Sequence, residues 1–158
     1  MSEYLLIKWI HILSSTLLFG TGLGSAFYKW RTDRSGVLPA MAQTNALVVT
    51  ADWIFTTPTI IIQPISGLWL LKLLGIPLDQ GWVIAAVALY FIAGACWLPV
   101  VWLQIRMRDM TRTATQQGQL LPDGYQRLAR IWFALGIPAF MAMVAVYALM
   151  VFKPAISL

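Results

Sequence analysis

The chain has 158 residues, of which 59% are apolar and 11% charged, with a mean hydropathy of +0.74. A water-soluble domain carries about a quarter charged residues and could not hide this much apolar surface, so a soluble globular fold is excluded. The net charge of +5 does not point to nucleic acid, because most Lys and Arg residues fall in two polar stretches between apolar runs, which is how topology signals are placed.

A membrane helix needs about 20 mostly apolar residues to cross a hydrocarbon core of about 30 Å. The length therefore suits four spans with short connections. The expected fold is all-α, a polytopic four-transmembrane-helix bundle forming one integral membrane domain over residues 1–158.

The first span is expected at about residues 4–28. Lys8 ahead of Ile12–Phe19, with Gly24-Ser25-Ala26 behind, imitates a signal peptide. The run is longer than an h-region, however, and reads as a retained helix. A basic loop, Lys29–Gly36, follows. The second stretch, about residues 46–74, contains Pro58 and Pro64 and reads as one kinked helix, since neighbouring helices can satisfy the carbonyls a proline frees. Gly75–Gly81 forms a turn, and the third span, about residues 82–105, contains Pro99. The polar stretch Arg106–Arg130 breaks near Gly118 and at Pro122-Asp123-Gly124, reading as a solvated or membrane-surface helix. The fourth span is expected at about residues 131–152.

Basic loops are retained in the cytoplasm. Lys29, Arg31 and Arg34 lie in the first loop, and Arg106, Arg108, Arg112, Arg127 and Arg130 in the third. Both termini are then expected on the outer, periplasmic side of a bacterial inner membrane. The single cysteine, Cys96, lies in an apolar run and reads as a small buried residue.

Ionisable groups within a membrane are costly, which makes each a functional candidate. Lys8 and Lys72 lie near span ends, where a lysine can reach the interface. His11 is the sole histidine. It can be a metal or haem ligand, or an imidazole hydrogen-bonded between helices. At 1.5 Å per residue, His11 lies about 10 Å into the first helix, Met143 about 13 Å below the outer end, Tyr147 about 8 Å, and Ser66 and Gln63 about 12 and 16 Å. One layer holding all five is expected, with His11 and Met143 as the axial pair of a b-type haem and no other metal. Asp52 reads as a first-turn carboxylate favoured by the helix dipole, or as a proton-handling group. Together with Thr56-Thr57-Pro58-Thr59 and Gln63 it makes the second helix the expected pocket wall. The polar pocket is thus assigned to Lys8, Asp52, Thr57, Gln63, Ser66 and Tyr147. The Gly20–Gly24 spacing reads as a helix-packing surface.

The opening Leu6-Ile7-Lys8-Trp9-Ile10-His11-Ile12-Leu13, together with Asp52, Thr57-Pro58, Gln63 and Ser66-Gly67-Leu68, resembles the bacterial predicted integral membrane proteins grouped as domain-of-unknown-function family 2269. That resemblance covers nearly the whole chain and implies no activity. The Lys8-x-x-His11 start is also similar to the HemJ-type protoporphyrinogen oxidases. Their haem-binding histidine on the first helix maps onto His11. Those proteins carry a lysine shortly after a Gly-Trp, whereas Gly81-Trp82 is followed here by Val83-Ile84-Ala85-Ala86. The resemblance therefore implies haem b at His11 rather than the oxidase reaction.

The leading expectation is a membrane redox protein binding haem b or a quinone, or the membrane anchor of a redox complex. The alternatives are a small transporter or channel built around Asp52, Thr56–Thr59 and Gln63, and a structural or assembly subunit. Expected partners are the lipid bilayer and further copies of the chain or other membrane subunits, with no nucleic acid.

Overall fold

The structure, a computed structural model, describes residues 2–156. Five α-helices account for most of it: α1 (Glu3–Ser35), α2 (Leu38–Ala51), α3 (Thr57–Leu73), α4 (Gly81–Gln117) and α5 (Gly124–Phe152), with a π-helical turn, Asp52–Thr56, joining α2 to α3. No strand occurs among the described residues. Because α2, the π-turn and α3 form one rod, the chain makes four helices long and apolar enough to cross a membrane: Glu3–Ser35, Leu38–Leu73, Gly81–Gln117 and Gly124–Phe152.

The helices outrun the expected spans. Lys29–Ser35 is the last part of α1 rather than a loop, and the helix stops only at Gly36, whose φ of 67° reverses the chain. Leu38 reopens the second rod with a proline in its first turn, where the missing N–H costs nothing. Arg106–Gln117 likewise extends α4 to the left-handed Gly118, and Gly124–Arg130 is the start of α5. The surface helix expected at Arg106–Arg130 is therefore two helix ends joined by residues 118–123. The reason is physical. Hydropathy marks where a chain leaves hydrocarbon, whereas a helix continues into water until a glycine or proline stops it.

Pro58 accounts for the π-turn. It has no N–H for the carbonyl of Ile54, and its ring would collide with that oxygen in a regular α-helix. The rod absorbs one extra residue instead, so that the Thr57 N–H reaches the Asp52 carbonyl, which also accepts from Thr57 Oγ1 at 3.0 Å. Insertions of this kind widen the helix and swing whatever follows.

That swing sets the packing. α4 and α5 form one hairpin, and α1 with the second rod forms the other. At the end rich in basic residues, α2 lies against α4; beyond the π-turn, α3 packs mainly on α1. The buried cluster of Met41, Val100, Leu103, Met107, Tyr125, Ala129 and Trp132 belongs to the basic end. Large apolar residues such as Phe91, Leu98, Ile137 and Val151 remain exposed, as surfaces facing lipid do. Gly20 meets no neighbour within 4 Å and Gly24 only its own Tyr28, so the Gly20–Gly24 spacing packs against no other helix of this chain.

Candidate functional site

Polar residues gather in three places along the bundle. At the end of the molecule bearing the termini, α1 and α3 meet around His11. Ser66 Oγ donates to the Ile62 carbonyl at 2.6 Å, so its lone pairs face the imidazole and accept from His11 Nδ1–H at 2.8 Å. With the Ser66 hydroxyl proton directed at a backbone carbonyl, the arrangement suits the tautomer protonated on Nδ1. Gln63 Nε2 donates to the His11 carbonyl at 2.8 Å and to Ser14 Oγ at 2.6 Å. Gly67 permits the approach, since a Cβ there would stand 3.4 Å from His11 Cε1. His11, Gln63 and Ser66 thus meet, as their depths imply, through hydrogen bonds between two helices. Lys8 is exposed and lies over the Tyr4 ring at 5.5 Å.

Met143 and Tyr147 do not join this layer. The Phe19 ring packs 4.6 Å from Phe140 and 5.4 Å from Tyr147, which places this part of α5 about 12 Å along α1 from His11. Met143 lines a cavity that His11 does not reach. A haem ligated by His11 and Met143 together does not fit that arrangement. Among the described residues, no group of three or more His, Cys, Asp or Glu side chains is placed to hold a metal ion.

The second place is that cavity, about 380 Å³, enclosed by α1, the π-turn, α3, α4 and α5. It opens where α3 has swung away from α4. Tyr90 Oη spans part of the gap by donating to the Ile60 carbonyl. Gly22, Gly94 and Gly136, one from each of three helices, face it, and a Cβ on any of them would meet nothing within 4 Å. These glycines carve space rather than permit close helix packing. Leu23, Ile137 and Met141 also line the cavity and are exposed on the outer surface of the bundle, so it communicates with the lipid-facing side between α1 and α5.

Asp52 gives this apolar chamber its polar wall. Thr56, Trp97 and Gln104 surround its carboxylate, yet Asp52 Oδ2, Thr56 Oγ1, Trp97 Nε1 and Trp132 Nε1 are all buried without a hydrogen-bond partner. Four such atoms around one chamber are unusual, because buried polar atoms are nearly always paired. The π-turn is what aims Asp52 inward. Asp52, Trp97 and Gln104 also line a second cavity of about 310 Å³, between the second rod and α4. They form the partition between the two chambers.

The third place is at the basic end. Lys29 is wholly buried. Its Nζ donates to Asp33 Oδ2 at 2.8 Å and to Tyr125 Oη at 2.8 Å. Tyr125 Oη donates to Asp33 Oδ1 at 2.6 Å and accepts from Asn45 Nδ2 at 2.9 Å. Asn45 reaches Thr111 at 3.5 Å. All four membrane rods contribute to this network, and every hydrogen bond in it has a partner on the protein.

A sequence family matches this arrangement from end to end: predicted integral membrane proteins of the DUF2269 group, over residues 5–154. The chain belongs to that family. Searches of curated proteins and of solved structures return no match. In this DUF2269 chain, His11, Gln63 and Ser66 lie together between α1 and α3, and Asp52 stands apart from them on the chamber wall. Thr57 caps the π-turn and lines the second cavity beside Asp52, and the sequence gives no sign that Trp97, Gln104 and Trp132 join them. Lys29, Asp33, Asn45 and Tyr125 were also missed, although the i,i+4 spacing of Lys29 and Asp33 signals a helix-borne pair.

Proposed function

We propose that the protein is a membrane-embedded binding or carrier protein for a lipophilic small molecule, which enters from the bilayer and engages Asp52 with its polar head. The observation that carries this reading is the buried, unpartnered Asp52 Oδ2 on the wall of an otherwise apolar cavity. A carboxylate so placed is costly unless something completes it. The side opening at Leu23, Ile137 and Met141 supports entry from lipid. The shared wall of Asp52, Trp97 and Gln104 between two chambers supports passage as well as binding. We place the protein in a bacterial inner membrane with both termini outside, on the asymmetry of its basic residues.

The test uses the neutral fluorophore N-phenyl-1-naphthylamine with the protein in zwitterionic nanodiscs and protein-free nanodiscs as baseline. Saturable binding above that baseline is expected. Gly136→Phe, whose Cβ would meet nothing within 4 Å, puts a ring into the chamber and should abolish that binding while leaving the melting temperature within a few degrees. Binding that is unsaturable, or unchanged in the filled variant, overturns the reading.

A further inference from the structure

The chamber has a charge as well as a shape, and this names the class of its occupant. Among the described residues, its only ionisable lining group besides the Tyr90 phenol is Asp52, and neither Lys nor Arg lines it. Lys29, which is not part of the lining, has its Nζ 5.7 Å from the centre of the Trp132 ring. That charge is already matched by Asp33 at 2.8 Å. The carboxylate of Asp52 therefore has no counter-ion of its own.

Aromatic residues make up much of the wall: Phe19, Tyr90, Trp97, Trp132, Phe133 and Phe140 all line the chamber. An aromatic ring presents a negative face to what lies above it, and cages of several rings recognise alkylated ammonium groups. An anion would meet repulsion from Asp52. A neutral ligand would give the carboxyl no counter-charge, and a buried acid without one keeps its proton, held among Thr56, Trp97 and Gln104. A cation with an apolar body satisfies the carboxylate, the rings and the apolar walls at once.

We infer that the occupant is a lipophilic organic cation, an amine or quaternary ammonium on a hydrocarbon or aryl body, with Asp52 as its counter-ion and the surrounding rings as its cage. This rests on the reading of the chamber as a small-molecule site and adds the sign of the ligand's charge.

Two ligands of one shape separate the two ideas: 4-phenylbutyltrimethylammonium and its neutral tert-butyl isostere, each competing with N-phenyl-1-naphthylamine in zwitterionic nanodiscs. The cation should displace the fluorophore at a concentration at least about tenfold lower than the isostere. Asp52→Asn should bring the displacing concentrations of the two ligands together, and Asp52→Glu should retain most of the preference. Equal displacement by both ligands in the unmodified protein overturns the inference and leaves a neutral-ligand site standing. Failure of the fluorophore itself to bind removes the site and the inference together. A preference that survives in Asp52→Asn, with the fluorophore still bound, also overturns it, since the charge would then be recognised elsewhere.

Discussion

Lys29 carries its ammonium to a position with no exposed surface, which is tolerable only because Asp33, Tyr125 and the Trp132 face surround it. A buried ion pair contributes little net stability over an apolar replacement, but removing one partner strands the other. Asp33→Asn should therefore lower stability by about 3–5 kcal/mol, measured by reversible denaturation in detergent. Adding Lys29→Met to the same chain should recover part of that loss, because no uncompensated ammonium then remains. If single and double variants unfold alike, the ion pair is not the source of the effect. The sequence does not show this pair plainly. Lys29 stands among Arg31 and Arg34 and reads as one of three loop charges, and only the continuation of α1 to Ser35 turns it inward. His11 was more legible, since a lone imidazole between apolar helices must find a hydroxyl or carbonyl, and Ser66 supplies one.

One extra residue in the second rod decides how two helices meet their partners. The π-turn Asp52–Thr56 lets α2 pack on α4 and α3 on α1, and it directs Asp52 into the chamber between them. Pro58→Ala, which removes the cause of the π-turn, should let the rod close as a regular α-helix with every residue retained and rotate α3 by about 100°, one residue's worth of helix. Gln63 and Ser66 would turn away from His11 and Ser14, breaking three interhelical hydrogen bonds. At about 1 kcal/mol each, the loss is about 3 kcal/mol before repacking. Phe55→Leu, which keeps the register, should cost less than 1 kcal/mol. Comparable melting temperatures for Pro58→Ala and Phe55→Leu would show that register is not what the π-turn provides. Pro58 and Pro64 announce a distortion of this rod from sequence alone. A kink and a π-turn share that signature, however, and only the second changes which face Asp52 occupies.

Across the whole molecule, polarity is arranged by end. Eight of the eleven Lys and Arg residues (29, 31, 34, 106, 108, 112, 127 and 130) lie at the end where α1 meets α2 and α4 meets α5. The other three, Lys8, Lys72 and Lys153, lie at the opposite end. The turn between α3 and α4, residues 74–80, has no basic residue at all. The long polar ends of α1 and α4 extend beyond the hydrocarbon, because a helix of 33 or 37 residues measures about 50–55 Å against a core of about 30 Å. Basic residues resist translocation, so the rich end should face the cytoplasm and both termini the outside. Exposed single cysteines placed in a Cys96→Ser background can read this directly. Asp79→Cys, in the turn without basic residues, should react with a membrane-impermeant maleimide in intact cells. Gln119→Cys, in the link between α4 and α5, should react only after the cells are permeabilised. The reverse pattern would invert the protein and place its Lys29 network on the outer face. Labelling of both positions in intact cells would mean that the basic end does not control insertion, and the two chambers flanking Asp52 would then have no fixed inside and outside.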